Sequence, residues 1–160
     1  MTSYVASLFQ STITSSSRHL FGMQDTLDLL LIAYFSNGHV LIEGPPGTAK
    51  TLSAKILSNT LSTSFNRIQF TSDLLPGDIL GSSLFNPASQ AFVFIKGPIF
   101  HDFIVADEIN RTPPRTQSAL LEAMEEHHVT TEGQRFMLSP HFFVVATQNP
   151  VEFRGTYPLP

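Results

Sequence analysis

Hydrophobic positions along the chain follow two different spacings, and their order predicts a layered α/β protein. Apolar residues recur at helical spacing within residues 5–13, 23–35 and 52–57. Short apolar runs typical of strands lie between and after these segments, namely HVLIEG at 39–44, RIQF at 67–70, AFVFIK at 91–96, HDFIVAD at 101–107 and FFVVAT at 142–147. Strands that alternate with helices favour a mostly parallel sheet with helices on both of its faces.

Turn and capping residues divide these elements. Asn37-Gly38 is expected to end the first core helix, and Thr112 is expected to cap a helix over residues 113–127. Glycine, proline and serine punctuate residues 72–86, which predicts a loop with short helical turns. Two short segments within residues 129–138 are joined through a Glu-Gly pair, which indicates a small β-hairpin.

Length and composition indicate one globular domain. The chain has 160 residues, of which 42% are apolar and 14% charged. We interpret residues 1–20 as an N-terminal helical segment, and residues 21–160 as a core that stops before its closing helix. The chain has no cysteine, which excludes a disulfide framework, a zinc–thiolate site and a thiol nucleophile. The expected compartment is therefore the cytoplasm, and no apolar stretch is long enough to predict a membrane span.

The charge distribution argues against a nucleic-acid site. The net charge is −4, from nine Lys and Arg against thirteen Asp and Glu, and no three basic residues cluster in the sequence. Neutralising a row of phosphates requires a basic stripe. We therefore expect no nucleic-acid partner.

A glycine-containing loop lies between the first predicted strand and the helix that follows it. The loop consists of Gly44, Pro45, Pro46, Gly47, Thr48, Ala49, Lys50 and Thr51. This pattern is typical of loops that bind the phosphates of ATP, although Ala49 replaces the usual second glycine. In such a loop backbone N–H groups surround the phosphates, Lys50 reaches the terminal ones, and the Thr51 hydroxyl coordinates Mg²⁺. The alternative is a proline–glycine turn before an unrelated helix, which the flanking strand and helix disfavour.

Polar residues follow the third and fourth core strands. Asp107 and Glu108 come directly after FIVA, at the sheet edge where ligands bind in open α/β folds. We expect Asp107 to hold Mg²⁺ through water, together with Thr51, and Glu108 to polarise the attacking water. Alternatively, the pair lies near the positive N-terminus of the next helix without a catalytic role. At Asn149, spacing alone favours a plain Asn-Pro turn over an amide that orients the water.

Three segments together resemble the MoxR-type branch of the AAA+ ATPases. They are GPPGTAKT, VADEINR-x-PP-x-TQSALLEAMEE and VVATQNPVEFRGTYPLP, and the likeness runs from about residue 21 to residue 160. The resemblance implies a P-loop αβα sandwich with a mostly parallel five-strand sheet and small β-hairpin inserts. It also implies ATP hydrolysis in a homo-oligomeric ring, usually a hexamer, coupled to chaperone-like remodelling of protein clients. Such clients often carry a von Willebrand factor A domain.

The resemblance also assigns roles to positions of this chain. It implies that residues 44–51 are the Walker A loop, that Asp107 and Glu108 are the Walker B pair, and that Asn149 is the sensor-1 asparagine. This last point makes the catalytic interpretation of Asn149 the favoured one. Gly22 lies where the adenine-contacting segment of the family begins. Residues 84–97 resemble an insert in the second helix of this clade.

The chain departs from the family in ways that bear on its activity. By this resemblance the chain is expected to stop before the arginine finger, the fifth strand and the lid, and Arg154 stands where the family usually has an acidic or amide residue. We therefore expect this chain to bind ATP but to hydrolyse it slowly, and its first strand to be an unpaired sheet edge that lowers solubility. The alternatives are an ATP-dependent assembly module without turnover, and a DNA-processing motor, which the scattered basic residues disfavour.

Several residues outside these segments have less specific interpretations. Arg111 and Arg115 belong either to a solvated helix start or to a contact with a neighbouring subunit. For Phe85, Phe92 and Phe94, buried packing is favoured over contact with a partner.

Overall fold

A computed structural model describes residues 24–45, 50–149 and 155–160 of the chain. The described helices are α1 (Gln24–Phe35), α2 (Lys50–Thr60), α3 (Pro76–Leu80) and α4 (Pro114–Glu126), with a 3₁₀ turn at Ile109–Arg111. The strands are β1 (Val40–Glu43), β2 (Phe65–Gln69), β3 (Gly81–Asn86), β4 (Ala91–Lys96), β5 (Phe103–Asp107), β6 (His128–Thr131), β7 (Gln134–Met137) and β8 (Phe143–Gln148). The helix expected within residues 1–20 lies outside the described residues.

The central sheet has four parallel strands in the order β1–β8–β5–β2. Strands β3 and β4 form one antiparallel hairpin, and β6 and β7 form another. A parallel sheet with helices and small hairpins confirms the predicted α/β P-loop class.

The two inner strands explain why the sheet needs helices on both faces. Strands β5 and β8 are buried along nearly their whole length, as continuous apolar runs predict. One side packs against α1 and α2 through Leu30, Leu31, Ala54, Leu57, Phe103, Val105, Phe143 and Val145. The other side packs against α4 through a group that includes Ile104, Ala106, Leu120, Ala123, Val144 and Ala146. Because neighbouring strand residues point to opposite faces, alternate residues of each strand belong to the two hydrophobic cores.

The predicted stop of the first core helix is confirmed. The N–H of Gly38 donates to the carbonyl of Ala33 at 2.9 Å, and that of Asn37 donates to Tyr34 at 3.2 Å. This paired pattern ends a helix by satisfying its last carbonyls. Asn37, with a φ of 55°, takes the left-handed conformation, which asparagine adopts more readily than most residues.

The predicted cap of α4 is wrong. Pro113 occupies the N-cap position, and no side chain caps the helix there. The Thr112 hydroxyl instead donates to the carbonyl of Thr71 at 2.7 Å, which ties the loop after β2 to the start of α4. The threonine therefore serves a tertiary contact that local sequence does not reveal.

The segment predicted as a loop over residues 72–86 contains a helical turn and a full strand. α3 fits the expected helical turns, but β3 pairs with β4 over six residues. Gly81 allows this pairing, because a Cβ at that position would lie 2.3 Å from the carbonyl oxygen of Ile95. Small residues that suggest a loop here permit close approach of two backbones.

The aromatic residues of this hairpin do not all pack as predicted. Phe85 and Phe92 are 54% and 65% exposed and contact each other edge-to-face, so buried packing is wrong for both. Phe94 stacks on Phe136 with the ring centroids 4.1 Å apart, which agrees with the packing interpretation.

Strand β1 is the outer strand on its side of the sheet among the described residues, as predicted. It pairs only with β8 within the described ranges, and Leu41 is 43% exposed. None of the described helices is long and apolar enough to cross a membrane.

Candidate functional site

The carboxyl ends of the parallel strands bring the predicted site residues to one edge of the sheet. The register pairs Glu43 of β1 with Gln148 of β8, and Gln69 of β2 with Asp107 of β5. Because β5 and β8 are adjacent, Asp107 lies between the ends of β2 and β8. Residues far apart in sequence therefore meet along a single edge.

The glycine-containing loop begins at this same edge. The N–H of Gly44 donates to the carbonyl of Gln148 at 3.2 Å, which fixes the loop entry beside β8. Lys50 begins α2, and Thr51 follows in its first turn, half-buried. Pro46, Gly47, Thr48 and Ala49 lie outside the described residues, as does Gly22. The structure thus describes both ends of the loop, with Pro45 as the last residue of its entry.

The Asp107 carboxylate has a partner on each oxygen. The Thr147 hydroxyl donates to Oδ1 at 2.5 Å. The Arg67 guanidinium donates to Oδ2, through Nε at 3.0 Å and through Nη2 in a close ion pair. The Asp107 side chain is 13% exposed and that of Arg67 is 50% exposed. A mostly buried carboxylate is therefore paired with a cation that reaches in from solvent.

Glu108 takes an unusual backbone conformation. Its φ of 57° and ψ of 47° are left-handed, which costs a non-glycine residue about 1–3 kcal/mol. Its N–H donates to the Thr147 hydroxyl oxygen at 3.0 Å. Its side-chain Oε2 accepts from Gln69 Nε2 at 2.8 Å and pairs with Arg111 Nε at 3.0 Å. These contacts hold the turn after β5 and direct the Glu108 carboxylate along the sheet edge.

Asn149 follows β8 and is 7% exposed. Its backbone carbonyl accepts from Asn110 Nδ2 at 3.4 Å, so the end of β8 is tied to the 3₁₀ turn after Glu108. The structure therefore brings Asn149 into the same neighbourhood as the acidic pair. The role of its side-chain amide stays a prediction.

Thr147, Arg67 and Gln69 contact the acidic pair and are absent from the sequence-based site. Thr147 bridges the two acidic residues, because its hydroxyl donates to Asp107 and accepts from the N–H of Glu108. Arg67 and Gln69 contact the acidic pair from β2 and are joined by a 2.9 Å hydrogen bond from Arg67 Nη2 to Gln69 Oε1. Polar residues two apart on a strand share one face, and that spacing is the signal that could have identified them.

Of the two arginines with open interpretations, Arg111 contacts Glu108 of its own chain. Arg115 lies exposed in the first turn of α4. Contact with a neighbouring subunit stays a prediction for both.

Comparison with known proteins identifies the family. Residues 39–160 match the ATPase family associated with various cellular activities (AAA). The chain is 48% identical over 153 residues to the uncharacterized protein YeaC of Bacillus subtilis, covering 96% of this chain and 48% of that protein. It is 43% identical over 151 residues to Chaperone MoxR1 of Mycobacterium tuberculosis, covering 94% of this chain and 40% of that protein.

A solved structure shows the same fold. The crystal structure of a candidate ATPase from Cytophaga hutchinsonii superposes with a TM-score of 0.86 at 46% identity, covering 98% of this chain and 48% of that one. The chain thus spans about half the length of the proteins it matches. Together with the strand order and the acidic pair after β5, these similarities show that the chain belongs to the AAA family of ATPases and, within it, to the MoxR-type proteins.

Proposed function

We propose that the chain binds ATP with Mg²⁺ at the carboxyl edge of its central sheet, and that the assembled protein hydrolyses it to remodel protein partners. The observation that carries the proposal is the Gly44–Gln148 hydrogen bond. This hydrogen bond supports a phosphate loop that starts beside β8, the neighbour of the strand that ends in the acidic pair. Family membership supports nucleotide binding in general terms.

The loop would hold the nucleotide by its phosphates. In the proposed complex the N–H groups from Gly47 to Thr51 donate to phosphate oxygens, and Lys50 binds the terminal phosphates as a cation. Pro45 and Pro46 carry no N–H, so they stiffen the loop entry without contributing donors. Gly22 would lie against the adenine.

The chemistry of the available donors fits a magnesium ion. Mg²⁺ prefers carboxylate, hydroxyl and phosphate oxygens, and Asp107 and Thr51 offer a carboxylate and a hydroxyl. When bound, the ion would neutralise charge on the phosphates. In the structure Thr147 donates to Oδ1 of Asp107 and Arg67 donates twice to Oδ2, so an ion, or a water bound to it, that approached Oδ2 would displace Arg67.

Glu108 and Asn149 would serve the water that attacks the γ-phosphate. Glu108 would accept a proton from that water, and Asn149 would orient it. General-base catalysis of this kind contributes roughly 10²–10⁴ in rate. The contacts of Glu108 with Gln69 and Arg111 support a carboxylate that is held ready at the edge rather than directed into the core.

Assembly and clients follow from the family rather than from the contacts. We infer a homo-oligomeric ring, a hexamer by analogy with the family, acting on protein clients that include von Willebrand factor A domain proteins. One relative is named a chaperone. The cytoplasmic location, the absence of a membrane partner and the absence of a nucleic-acid partner stay predictions.

Calorimetry with Mg-ATP tests the binding half of the proposal. We expect saturable binding that Lys50→Ala weakens at least tenfold, because a charge-assisted phosphate contact contributes about 1.5–3 kcal/mol. Lys55→Ala is the matched control, since Lys55 lies exposed on the same helix. Equal binding by all three proteins, or no binding by the unchanged protein, would contradict the proposal.

Turnover by the assembled protein tests the hydrolytic half. Glu108→Gln should retain ATP binding and lower the hydrolysis rate by about 10²–10⁴. Glu122→Gln, on the exposed side of α4, is the control for loss of one carboxylate. If Glu108→Gln leaves client remodelling intact, the protein is instead an ATP-dependent assembly module, which is the second candidate function.

A further inference from the structure

Charge balance at the sheet edge points to an unassigned role for Arg67. Two carboxylates, Asp107 and Glu108, face two guanidinium groups, Arg67 and Arg111. Each carboxylate of the acidic pair is therefore neutralised by an arginine of the same chain. Asp107 is the carboxylate expected to face the magnesium ion, and Arg67 already occupies one of its oxygens.

We propose that Arg67 competes with the divalent cation for Asp107, and so sets how strongly ATP binding depends on magnesium. This inference rests on the proposed function. The Arg67 guanidinium holds the carboxylate when no metal is bound, and it moves toward solvent when the cation arrives. Arg67 is a positioning residue in this scheme, because it acts through Asp107 and does not itself contact the nucleotide.

The geometry favours displacement of Arg67 over displacement of Thr147. The Arg67 side chain is long and 50% exposed, whereas Thr147 is buried and fixed within β8. A divalent cation beside Asp107 would repel the guanidinium, because like charges a few ångströms apart interact unfavourably even near a protein surface. Arg67 is therefore the partner that can leave at small cost.

Displacement of Arg67 would also affect the hydrogen bonds of Glu108. Arg67 Nη2 donates to Gln69 Oε1, and Gln69 Nε2 donates to Glu108 Oε2. When Arg67 moves, Gln69 loses the donor that fixes its amide orientation. The hydrogen bonds on β2 thus link the carboxylate that would face the metal to the carboxylate that would activate water.

The test compares the affinity of a non-hydrolysable ATP analogue in excess EDTA and in saturating Mg²⁺, by calorimetry. The dissociation constant in EDTA, divided by the dissociation constant in Mg²⁺, measures the metal preference of the protein. In Arg67→Gln this ratio should rise about two- to fivefold, because loss of an exposed ion pair is an effect of that size. A residue that only stabilises the fold would leave the ratio unchanged.

Two further variants make the result specific. Arg135→Gln removes one exposed positive charge from the β6–β7 hairpin and should leave the ratio at its original value. Arg67→Lys keeps the charge but loses the two-pronged contact, so its ratio should lie between those of the unchanged protein and Arg67→Gln. If Arg67→Gln does not fold, as judged by circular dichroism, the Lys variant decides: a raised ratio supports the proposal.

The outcomes separate this inference from the proposed function. If the unchanged protein binds no analogue in either condition, the proposed function fails. If it binds, but Arg67→Gln or Arg67→Lys shows an unchanged or lower ratio, only the competition by Arg67 is overturned.

Discussion

The two ends of strand β5 each carry an aspartate, and the two carboxylates are held in different ways. Asp102, directly before the strand, accepts from the Ser64 N–H at 2.9 Å, from the Ser64 hydroxyl at 2.7 Å and from the Ser139 hydroxyl. Asp107, the last residue of the strand, is held by Thr147 and by Arg67. Among the described residues, the hydrogen bonds to the Asp102 carboxylate come from two serines, whereas the Asp107 carboxylate is bound partly by a long arginine side chain.

The backbone around Asp102 shows why its carboxylate is fixed. Its carbonyl accepts from Phe143 N at 2.7 Å, and its N–H donates to the Ser64 hydroxyl at 2.8 Å. The starts of β2, β5 and β8 therefore meet at this one residue. The comparison indicates that the structural carboxylate of Asp102 is held by short donors close to the backbone. The carboxylate of Asp107, which is suited to a ligand, is held partly by a long side chain that can be displaced.

The largest contrast is expected when each aspartate is changed to asparagine and ATP binding is measured. Asp107→Asn should weaken Mg-ATP binding about tenfold to a hundredfold, because a charged oxygen contact is lost. Asp102→Asn should leave binding unchanged, since Asp102 lies at the opposite end of the strand. Calorimetry in EDTA is the control, where Asp107→Asn should bind no more weakly than the unchanged protein. A similar loss in both conditions would contradict a metal role for Asp107.

Folding stability tests the structural role of Asp102. Asp102→Asn should lower the free energy of unfolding by about 1–2 kcal/mol, allowing for solvent screening of a partly exposed site. Partial burial raises the pKa of Asp102, but hydrogen bonds from Ser139 and Ser64, together with the nearby His141, outweigh it and lower the pKa below its usual value. A lowered carboxyl pKa stabilises the fold above about pH 4, and the stabilisation is lost as the pH falls through the folded-state pKa.

Urea unfolding at pH 7 and at pH 3 measures that difference. The unchanged protein should lose more stability on acidification than Asp102→Asn, because the variant has no carboxylate to protonate there. Asp107→Asn serves as the comparison at the other end of β5. Equal acid sensitivity of the unchanged protein and Asp102→Asn would show that Asp102 does not supply this stabilisation.

Thr147 provides a smaller test, because its hydroxyl serves both acidic residues. Thr147→Val keeps the shape but leaves the N–H of Glu108 without its acceptor, which should cost about 1 kcal/mol of unfolding free energy. Thr147→Ser should restore most of that loss. Chemical unfolding of the three proteins measures the effect, and a Ser variant no more stable than the Val variant would show that the hydroxyl is not responsible.

The sequence predicted those parts of the fold that depend on local pattern. The continuous apolar runs of β5 and β8 identified the buried inner strands, and Asn37-Gly38 identified the end of α1. Strand β3 was missed because its glycine and serine residues suggest a loop, and its strand conformation depends on pairing with β4. Local propensity cannot show which backbone will lie alongside.

The same distinction applies to the candidate site. Asp107 and Glu108 stand at the end of an apolar run, so their place at the sheet edge follows from the strand pattern. Arg67 and Gln69 were missed because their contacts depend on the register of β2 against β5, which lie about 38 residues apart in sequence. The residue types suggest which chemistry is available, and the register decides which side chains meet.

His39 gives the smallest and most selective test of the two ends of the sheet. Its Nδ1 accepts from the N–H of Val144 at 3.1 Å, and its Nε2 lies 3.4 Å from the carbonyl of Met124. Burial lowers the pKa of His39, the Met124 contact opposes this, and His127 adds to the lowering. As the pH falls below about 6.5, the unfolded chain therefore takes up a proton that the folded chain resists, and stability falls until the folded-state pKa is reached.

His39→Gln should remove a fraction of a kcal/mol of this pH dependence between pH 7.5 and pH 5.5. The variant keeps a side chain that can accept from Val144, so its stability at pH 7.5 indicates whether the packing survives. Mg-ATP binding should show no difference in pH dependence between the two proteins, because His39 lies before β1, at the end away from Gly44. If His39→Gln changes the pH dependence of binding but not that of unfolding, the assignment of His39 to a structural role away from the ligand site is wrong.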